Sequence, residues 1–393
     1  MDPSGDMRIV NLINPPALEL YDPNAYPQLG LLYLGGALRR AGFHCRFVDL
    51  ADKETYTVPD ADYHLISVLH ATYKSALGVR NSIQDGMVVV GGAQATIDPI
   101  QTYEDFHPDA LVTGEADTEI ANVLSNGARG IIGGGVIKNL DSLAFPDRDL
   151  VPIEKLRNVS GVNMDRYTGD GATTTMISSR GCPFRCNFCC KVPQNEYFRW
   201  RSPRNIVDEM FELREKYDIN QVRFYDDCFT VNPKRVYDFC SLLKGKGFYW
   251  SCMTRADAIP DRMAREMYSS GCRDVQIGIE SGSQKILNDM NKKTNVETNK
   301  KAIETIKNAG MKARIFLMEL YPTETAEDTE LTKKFVTDTQ PDGVTLSSFL
   351  PLPGSSLYEK YRNDPRYSGR TYYNLERDSD LKTWIKSEVW RKQ

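Results

Sequence analysis

The sequence predicts an α/β protein built in two parts, a doubly wound parallel sheet over residues 1–150 and an open barrel of six β/α units over residues 151–362, with a tail over 363–393. Two observations predict this. Short apolar runs alternate with stretches of helical periodicity in both parts, which is the pattern of a parallel sheet with crossover helices. Glycine and proline punctuate the ends of those runs. At 393 residues the chain is long enough for two domains, at ~150 residues per domain.

The elements of the first part follow in order. Arg8 to Ile13 is an apolar strand, ended by Asn14-Pro15-Pro16 because proline cannot continue a ladder. Gln28 to Ala41 is a helix, with Leu31, Leu34, Leu38 and Ala41 on one face and Gly42 as its stop. His44 to Leu50 and His64 to Leu69 are strands, and a helix runs from Thr72 to Gln84. Met87 to Val90 is a fourth strand, closed by Gly91-Gly92. Ala110 to Thr113 is a fifth, followed by Gly114-Glu115 and a helix from about Asp117. Such sheets bind ligands on the loops at the C-terminal strand ends. Residues 127 to 170 show no clean period. Gly133-Gly134-Gly135 and the Pro146 to Pro152 region read as a connection.

In the second part, strands are expected at 173–178, 221–226, 249–254, 274–279, 312–318 and 342–346, and helices at 203–217, 232–246, 260–270, 295–309 and 325–338. Six units are too few to close an eight-stranded barrel. The polar tail, with Tyr372, Tyr373, Trp384 and Trp390, is too short for a domain and is expected to pack across the barrel mouth or side.

After the first of these strands stand Cys182, Cys186 and Cys189, at C-x3-C-x2-C spacing on a loop. A loop lets three thiols converge. A structural zinc site usually takes four N/S ligands, and no histidine lies in this loop. A cubane iron–sulfur cluster uses four thiolates, so three leave one iron open. Three loop thiols or a zinc knuckle are the plainer reading. Cys190 falls outside the spacing and reads as a packed neighbour.

The stretch Arg180-Gly181-Cys182-Pro183-Phe184-Arg185-Cys186-Asn187-Phe188-Cys189 resembles the signature of the radical S-adenosylmethionine (radical SAM) superfamily, with Phe188 at its aromatic position. The resemblance implies that the three cysteines hold a 4Fe-4S cluster and that the open iron chelates the amino and carboxylate groups of S-adenosyl-L-methionine. Cleavage then gives methionine and a 5′-deoxyadenosyl radical. It also implies the superfamily's open (β/α)6 barrel, with the site at its C-terminal strand ends.

The loops of the first part resemble those of the Rossmann-like cobalamin-binding domain that precedes many radical SAM barrels. The matching stretches are Asn14-Pro15-Pro16, Tyr26-Pro27-Gln28-Leu29-Gly30, the Gly91-Gly92 pair and Thr113-Gly114-Glu115. In that family the paired glycines let the backbone approach the nucleotide tail, since no Cβ intervenes. The D-x-H-x-x-G motif that supplies a lower cobalt ligand is absent. His70, after the third strand, is the nearest substitute; it reads rather as a surface or hinge histidine, and is expected not to coordinate cobalt.

The same resemblance assigns S-adenosylmethionine contacts to the barrel. Asp226 and Asp227 stand where the family holds the methionine amino group, and a helix N-cap pair is the competing reading. Arg255 matches the contact to the methionine carboxylate. Glu280 and Ser281, in Gly278-Ile279-Glu280-Ser281-Gly282, match the contacts to the ribose and carboxylate. The loop Glu319-Leu320-Tyr321-Pro322-Thr323-Glu324-Thr325 departs from the family's G-x-P-G-E-T pattern, with Leu320 and Thr323 in place of glycines.

A net charge of −4 argues against sequence-independent nucleic-acid binding, and no apolar run approaches the ~20 residues of a membrane span. Nine cysteines and an N-terminus without a signal-peptide pattern point to reduced thiols in the cytoplasm. The expected function is cobalamin-dependent methylation of an unactivated carbon in a small-molecule substrate, with electrons from a reductant such as flavodoxin or ferredoxin. The alternative is deoxygenation, ring contraction, cyclisation or epimerisation on the same scaffold. A non-catalytic cobalamin or iron–sulfur carrier is the reading from a different class.

Overall fold

The computed structural model describes residues 8–18, 28–157, 172–192, 196–367 and 379–390. The chain forms two compact units, residues 1–162 with 192–195, and residues 163–191 with 196–393.

The first unit is a parallel sheet of β1 (Ile9–Asn14), β2 (His44–Asp49), β3 (Tyr63–Ser67), β4 (Met87–Gly91), β5 (Ala110–Thr113) and β6 (Gly130–Gly133). Its order is β2-β1-β3-β4-β5-β6. The chain leaves β1 for one side and returns on the other at β3, so the topological switch point, where doubly wound sheets bind ligands, lies between them. Helices α1 (Leu29–Arg40) and α5 (Ile120–Ser125) carry buried side chains of one core, with Val10, Leu12 and Val89. Helices α2 (Tyr73–Ser82), α3 (Ala93–Ile97) and α4 (Pro99–Phe106) contribute to the other, with Ile13, Val88 and Val90. Successive strand residues point to opposite faces, and both faces are covered. That is why Val88-Val89-Val90 is uninterrupted rather than alternating. A short helix, α6 (Ile153–Arg157), ends the described part of this unit.

The strand β6 corrects the reading of residues 127 onward as connection only. It is a four-residue edge strand beginning and ending in glycine and paired with β5. With one neighbour, one half-buried face and one exposed face, it needs no apolar period to form.

The second unit is an open half-barrel. Its strands are β7 (Thr173–Met176), β10 (Gln221–Phe224), β11 (Tyr249–Arg255), β12 (Cys272–Glu280), β13 (Lys312–Glu319) and β14 (Gly343–Ser348), in the order β14-β13-β12-β11-β10-β7. A separate antiparallel pair, β8 (Ser179–Arg180) and β9 (Arg199–Trp200), brackets the cysteine loop. Outer helices α7 (Pro203–Tyr217), α8 (Pro233–Leu243), α9 (Asp261–Ser269), α11 (Val296–Asn308) and α12 (Ala326–Thr339) follow the expected spans. Phe224, Phe229, Phe239 and Trp250 form a fully buried aromatic core between sheet and helices.

Helices α10 (Gln284–Asp289), α13 (Tyr358–Tyr361) and α14 (Asp380–Glu388) come without sequence warning. The tail packs on the side: α14 buries Leu381 and Ile385, Lys333 of α12 pairs with Asp380, and Trp390 donates to the Val344 carbonyl of the edge strand β14 at 2.9 Å. Tyr372 and Tyr373 lie outside the described residues, as do Tyr26 and Pro27.

Candidate active site at the three-thiol loop

The loop after β7 is tied down along its length. Asn187 donates from its backbone to the Met290 carbonyl at 2.9 Å and from its amide to the Asp289 carbonyl at 2.8 Å. Asn291 returns a bond to the Arg185 carbonyl at 2.6 Å. The segment providing these contacts holds Asn291 and Lys293 in the left-handed region, at φ 52° and 57°, a conformation that non-glycine residues adopt rarely. Lys191 donates to the carbonyls of Cys182 and Phe184.

The three thiols lie near enough to feel one another's charge. Cys189 is open to solvent, yet burial pushes its thiol up to about 12, with Cys186, Cys182 and Asp227 adding to the shift and Lys191 opposing it. Burial likewise raises Cys182, with Asp227 and Cys186 adding. Among the described residues no three His, Cys, Asp or Glu groups stand close enough to hold a single metal ion. In a cubane each thiolate meets its own iron, so three thiols need not converge on one centre as they would on a single zinc ion. Cys190 is turned elsewhere, its thiol donating to the Pro353 carbonyl at 2.9 Å.

The strand-end residues separate into two groups. Asp227 acts on Cys182 and Cys189; its residue surface as a whole is exposed, while desolvation of the carboxyl itself, followed by the neighbouring Asp226, raises that carboxyl. Asp226 is placed differently from its neighbour. It is fully buried and accepts from the Ser178 backbone at 2.7 Å, the Ser178 hydroxyl at 2.5 Å and the Ser179 hydroxyl at 2.6 Å, with Arg235 at 3.6 Å. Those bonds lock the end of β7 to the end of β10. Ser281 is fully buried; its hydroxyl bonds with Thr332 and accepts from the Ser283 backbone, a helix-start network facing α12.

Arg255 lies against the thiol loop. Its guanidinium makes a two-pronged pair with Asp257 at 2.9 and 3.0 Å, donates to the Lys292 carbonyl at 2.6 Å, and sits 3.7 Å from the Cys186 sulfur. Its Cζ is 3.8 Å from the Phe184 ring centroid. Glu280 accepts from Lys292 at 2.5 Å, and both are buried. Glu280 has φ 68° at a register shift between β12 and β13. A Cβ on Gly278 would come within 2.6 Å of Glu280 Oε1 and 2.8 Å of Lys292 Nζ, so this glycine makes room for the ion pair. Lys292 Nζ also lies 5.8 Å from the Phe188 ring, which packs against Ile286, Met290, Tyr321 and Phe349. Sequence reading missed Lys191, Asp257, Asn291 and Lys292. No motif marks them, because their partners are brought together only by the fold.

At Leu320 the departure from the glycine-rich pattern has a conformational counterpart. Its φ is 57°, the left-handed region that a glycine would occupy at lower cost. Its carbonyl accepts from the Tyr367 hydroxyl at 3.0 Å.

In the first unit, Pro15 and Leu29 are buried packing residues, while Gln28 is half-buried and Gly30 exposed. Gly92 has φ 102°, and a Cβ there would meet the Val68 carbonyl at 2.6 Å. Glycine is thus required by the neighbouring strand end, before any ligand is considered. Gly91 is half-buried. Gly114, at φ 78°, donates to the Thr96 hydroxyl at 2.9 Å, and Glu115 accepts from the Ile137 backbone at 2.6 Å, holding its own loop. His70 is exposed and lies 3.3 Å from the Gln94 amide oxygen.

A parallel half-barrel with three thiols on the loop after its first strand defines a barrel enzyme of iron–sulfur type. Residues 176–336 match the Radical SAM superfamily. The chain is 30% identical over 369 residues to an uncharacterized methyltransferase of Pyrococcus horikoshii, covering 85% of this chain and 78% of that protein. It is 26% identical over 393 residues to an anaerobic magnesium-protoporphyrin IX monomethyl ester cyclase of Cereibacter sphaeroides, covering 89% and 63%. Its fold is similar to that of the radical SAM methyltransferase TsrM from Kitasatospora setae, a structure with cobalamin and a 4Fe-4S cluster bound. The TM-score is 0.67 at 16% identity, over 90% of this chain and 77% of that one. The chain belongs to the radical SAM superfamily. It is an enzyme whose cofactors include S-adenosylmethionine and a 4Fe-4S cluster.

Proposed function

We propose that this enzyme methylates an unactivated carbon of a small-molecule substrate, with the cluster held by Cys182, Cys186 and Cys189 and a cobalamin held at the switch point of the first unit. The observation that carries the reading is the loop after β7 with its three interacting thiols, enough for three irons of a cubane, which would leave one for the methionine end of S-adenosylmethionine. When bound, the cluster and S-adenosylmethionine supply a 5′-deoxyadenosyl radical and cobalamin supplies the methyl group. The chain's own residues bind and orient. Asp227, exposed and acting on the Cys189 thiol, is the carboxylate available to the methionine amino group. Arg255 sets a positive charge against the Cys186 thiolate, and its pair with Asp257 fixes its direction. Glu280 and Lys292 form the wall next to Phe188. The loops at Pro15, Gln28 to Gly30, Gly91-Gly92 and Gly114-Glu115 are the candidate cobalamin contacts.

The likeness to a methyltransferase over most of both chains supports methylation. The likeness to a cyclase favours ring formation on the same scaffold as the second reading. No described helix is long and apolar enough to cross a membrane. Together with nine free cysteines, this fits an enzyme of the cytoplasm supplied with electrons by a flavodoxin or ferredoxin. The test is turnover of candidate substrates with S-adenosylmethionine carrying a CD3 group, under anaerobic reducing conditions. A CD3-labelled product supports methylation. An unlabelled product with 5′-deoxyadenosine assigns the second reading, and no 5′-deoxyadenosine from any substrate overturns both.

A further inference from the structure

The second unit carries a groove of ≈ 880 Å³ beside the thiol loop, lined among others by Phe184, Ile259, Pro260, Arg262, Arg265 and Lys301. Phe184 lies between Cys182 and Cys186 in the chain. Its ring touches Arg255, whose Nη1 is 3.7 Å from the Cys186 sulfur. Two consecutive contacts therefore join the groove surface to a thiol proposed to hold the cluster. The groove is also locally positive. Arg262, Arg265 and Lys301 are exposed on it. Of its two carboxylates, Asp257 is neutralised by Arg255 and Asp261 accepts from the Thr305 hydroxyl at 2.6 Å. Helices α8 and α9 both begin at the groove, adding the positive ends of their dipoles. The chain as a whole carries −4, so an acidic partner is repelled by the molecule at large and attracted here.

We propose that this groove docks the electron donor, a small acidic one-electron carrier protein of the flavodoxin or ferredoxin class. The inference rests on the reading of Cys182, Cys186 and Cys189 as holders of the cluster. The carrier gives up one electron and the cluster takes it; no bond breaks and no proton moves in the groove. Electron-transfer encounters are weak and bury less than about 1,200 Å², so a charged groove suffices where a stable complex would need a large apolar face. Charge complementarity sets orientation and association rate.

The test titrates a strongly acidic flavodoxin into the cluster-loaded enzyme at low ionic strength, for wild type and for the triple variant Arg262→Glu, Arg265→Glu, Lys301→Glu. Affinity should fall at least tenfold in the variant, while its iron absorbance and its dithionite-driven cleavage of S-adenosylmethionine match wild type. Unchanged affinity in a variant that keeps its iron overturns the inference alone. So does an equal loss on reversing Arg204 and Lys216 of α7, since general charge would then explain binding. A dimer that seals the groove and dissociates in the variant also overturns it. Wild type without iron absorbance sinks the cluster reading, and this inference with it.

Discussion

Cys189 and Cys190 are neighbours in the chain and face different surroundings. Cys189 feels Cys186, Cys182 and Asp227, whereas Cys190 bonds to the Pro353 carbonyl. Cys190→Ala is expected to lose that one hydrogen bond, at about 1 kcal/mol, and to keep the iron absorbance and the cleavage of S-adenosylmethionine. Replacing Cys182, Cys186 or Cys189 by Ala should remove nearly all of both. Iron content and 5′-deoxyadenosine yield are the measurements, and a Cys189→Ala protein with full turnover would refute the assignment. Glu324 offers a second residue-level prediction. Burial pushes its carboxyl up to about 7, against hydrogen bonds from the backbone of Leu320 and Tyr321 that favour the charge. The folded state thus holds this proton more tightly than the unfolded state does. Glu324 imposes no penalty below about pH 4.5, and stability falls as pH rises from there to about 7. Glu324→Gln should flatten that stretch of the urea-stability profile and gain about 2–3 kcal/mol at pH 8. A variant profile parallel to wild type would count against it. Asp226, Asp227, Glu280 and Ser281 were legible as strand-end polar residues and no further. Which of them turns inward depends on Ser178, Thr332 and Lys292, partners that sequence spacing does not reveal.

At the scale of the element, Asp328 joins two helix starts. Its carboxylate accepts from the Ser283 hydroxyl at the N-cap of α10, from Lys285, and from the Thr325 backbone and hydroxyl at the N-cap of α12, at 2.6 to 2.9 Å. Burial opposes its ionisation, but these hydrogen bonds win and hold the carboxyl well below the usual carboxylate range. Its contribution is therefore complete above the unfolded value of about 4 and is lost as pH falls through the depressed folded value. Asp328→Asn cannot accept at every position, and should cost about 2 kcal/mol at pH 7, with a deficit that begins to shrink as pH falls below about 4 and is smaller, though not gone, near pH 2. Chemical unfolding at both pH values checks this; an equal deficit at both would mean lost packing rather than lost charge. The elements themselves were largely readable. Runs such as Val88-Val89-Val90 and helices with a four-residue apolar repeat declare themselves by period. β6 and α14 do not, because a glycine-ended edge strand and a tail helix burying only Leu381 and Ile385 depend on neighbours far away in the chain.

For the whole molecule, the two sheets share no strand, and each unit has cores of its own. Ligands assigned to different units should therefore stabilise different parts of the unfolding profile. A ligand that binds only the folded unit at a hundredfold excess over its Kd adds about 2.7 kcal/mol. For units of this size that is a shift of about 5–10 °C in the transition it controls. Hydroxocobalamin should raise the transition of the first unit and leave the other in place. S-adenosylmethionine added to the cluster-loaded protein should do the reverse. His70→Ala should leave the hydroxocobalamin shift intact, since its ring is exposed and set against Gln94. Scanning calorimetry on anaerobic protein reads all three, and near-stoichiometric corrin absorbance after desalting confirms that the first shift reports binding. Transitions indifferent to hydroxocobalamin would remove cobalamin from the mechanism while leaving the cluster assignment standing, and would move the chemistry toward the second reading. A single transition moved equally by either ligand would overturn the independence of the two units.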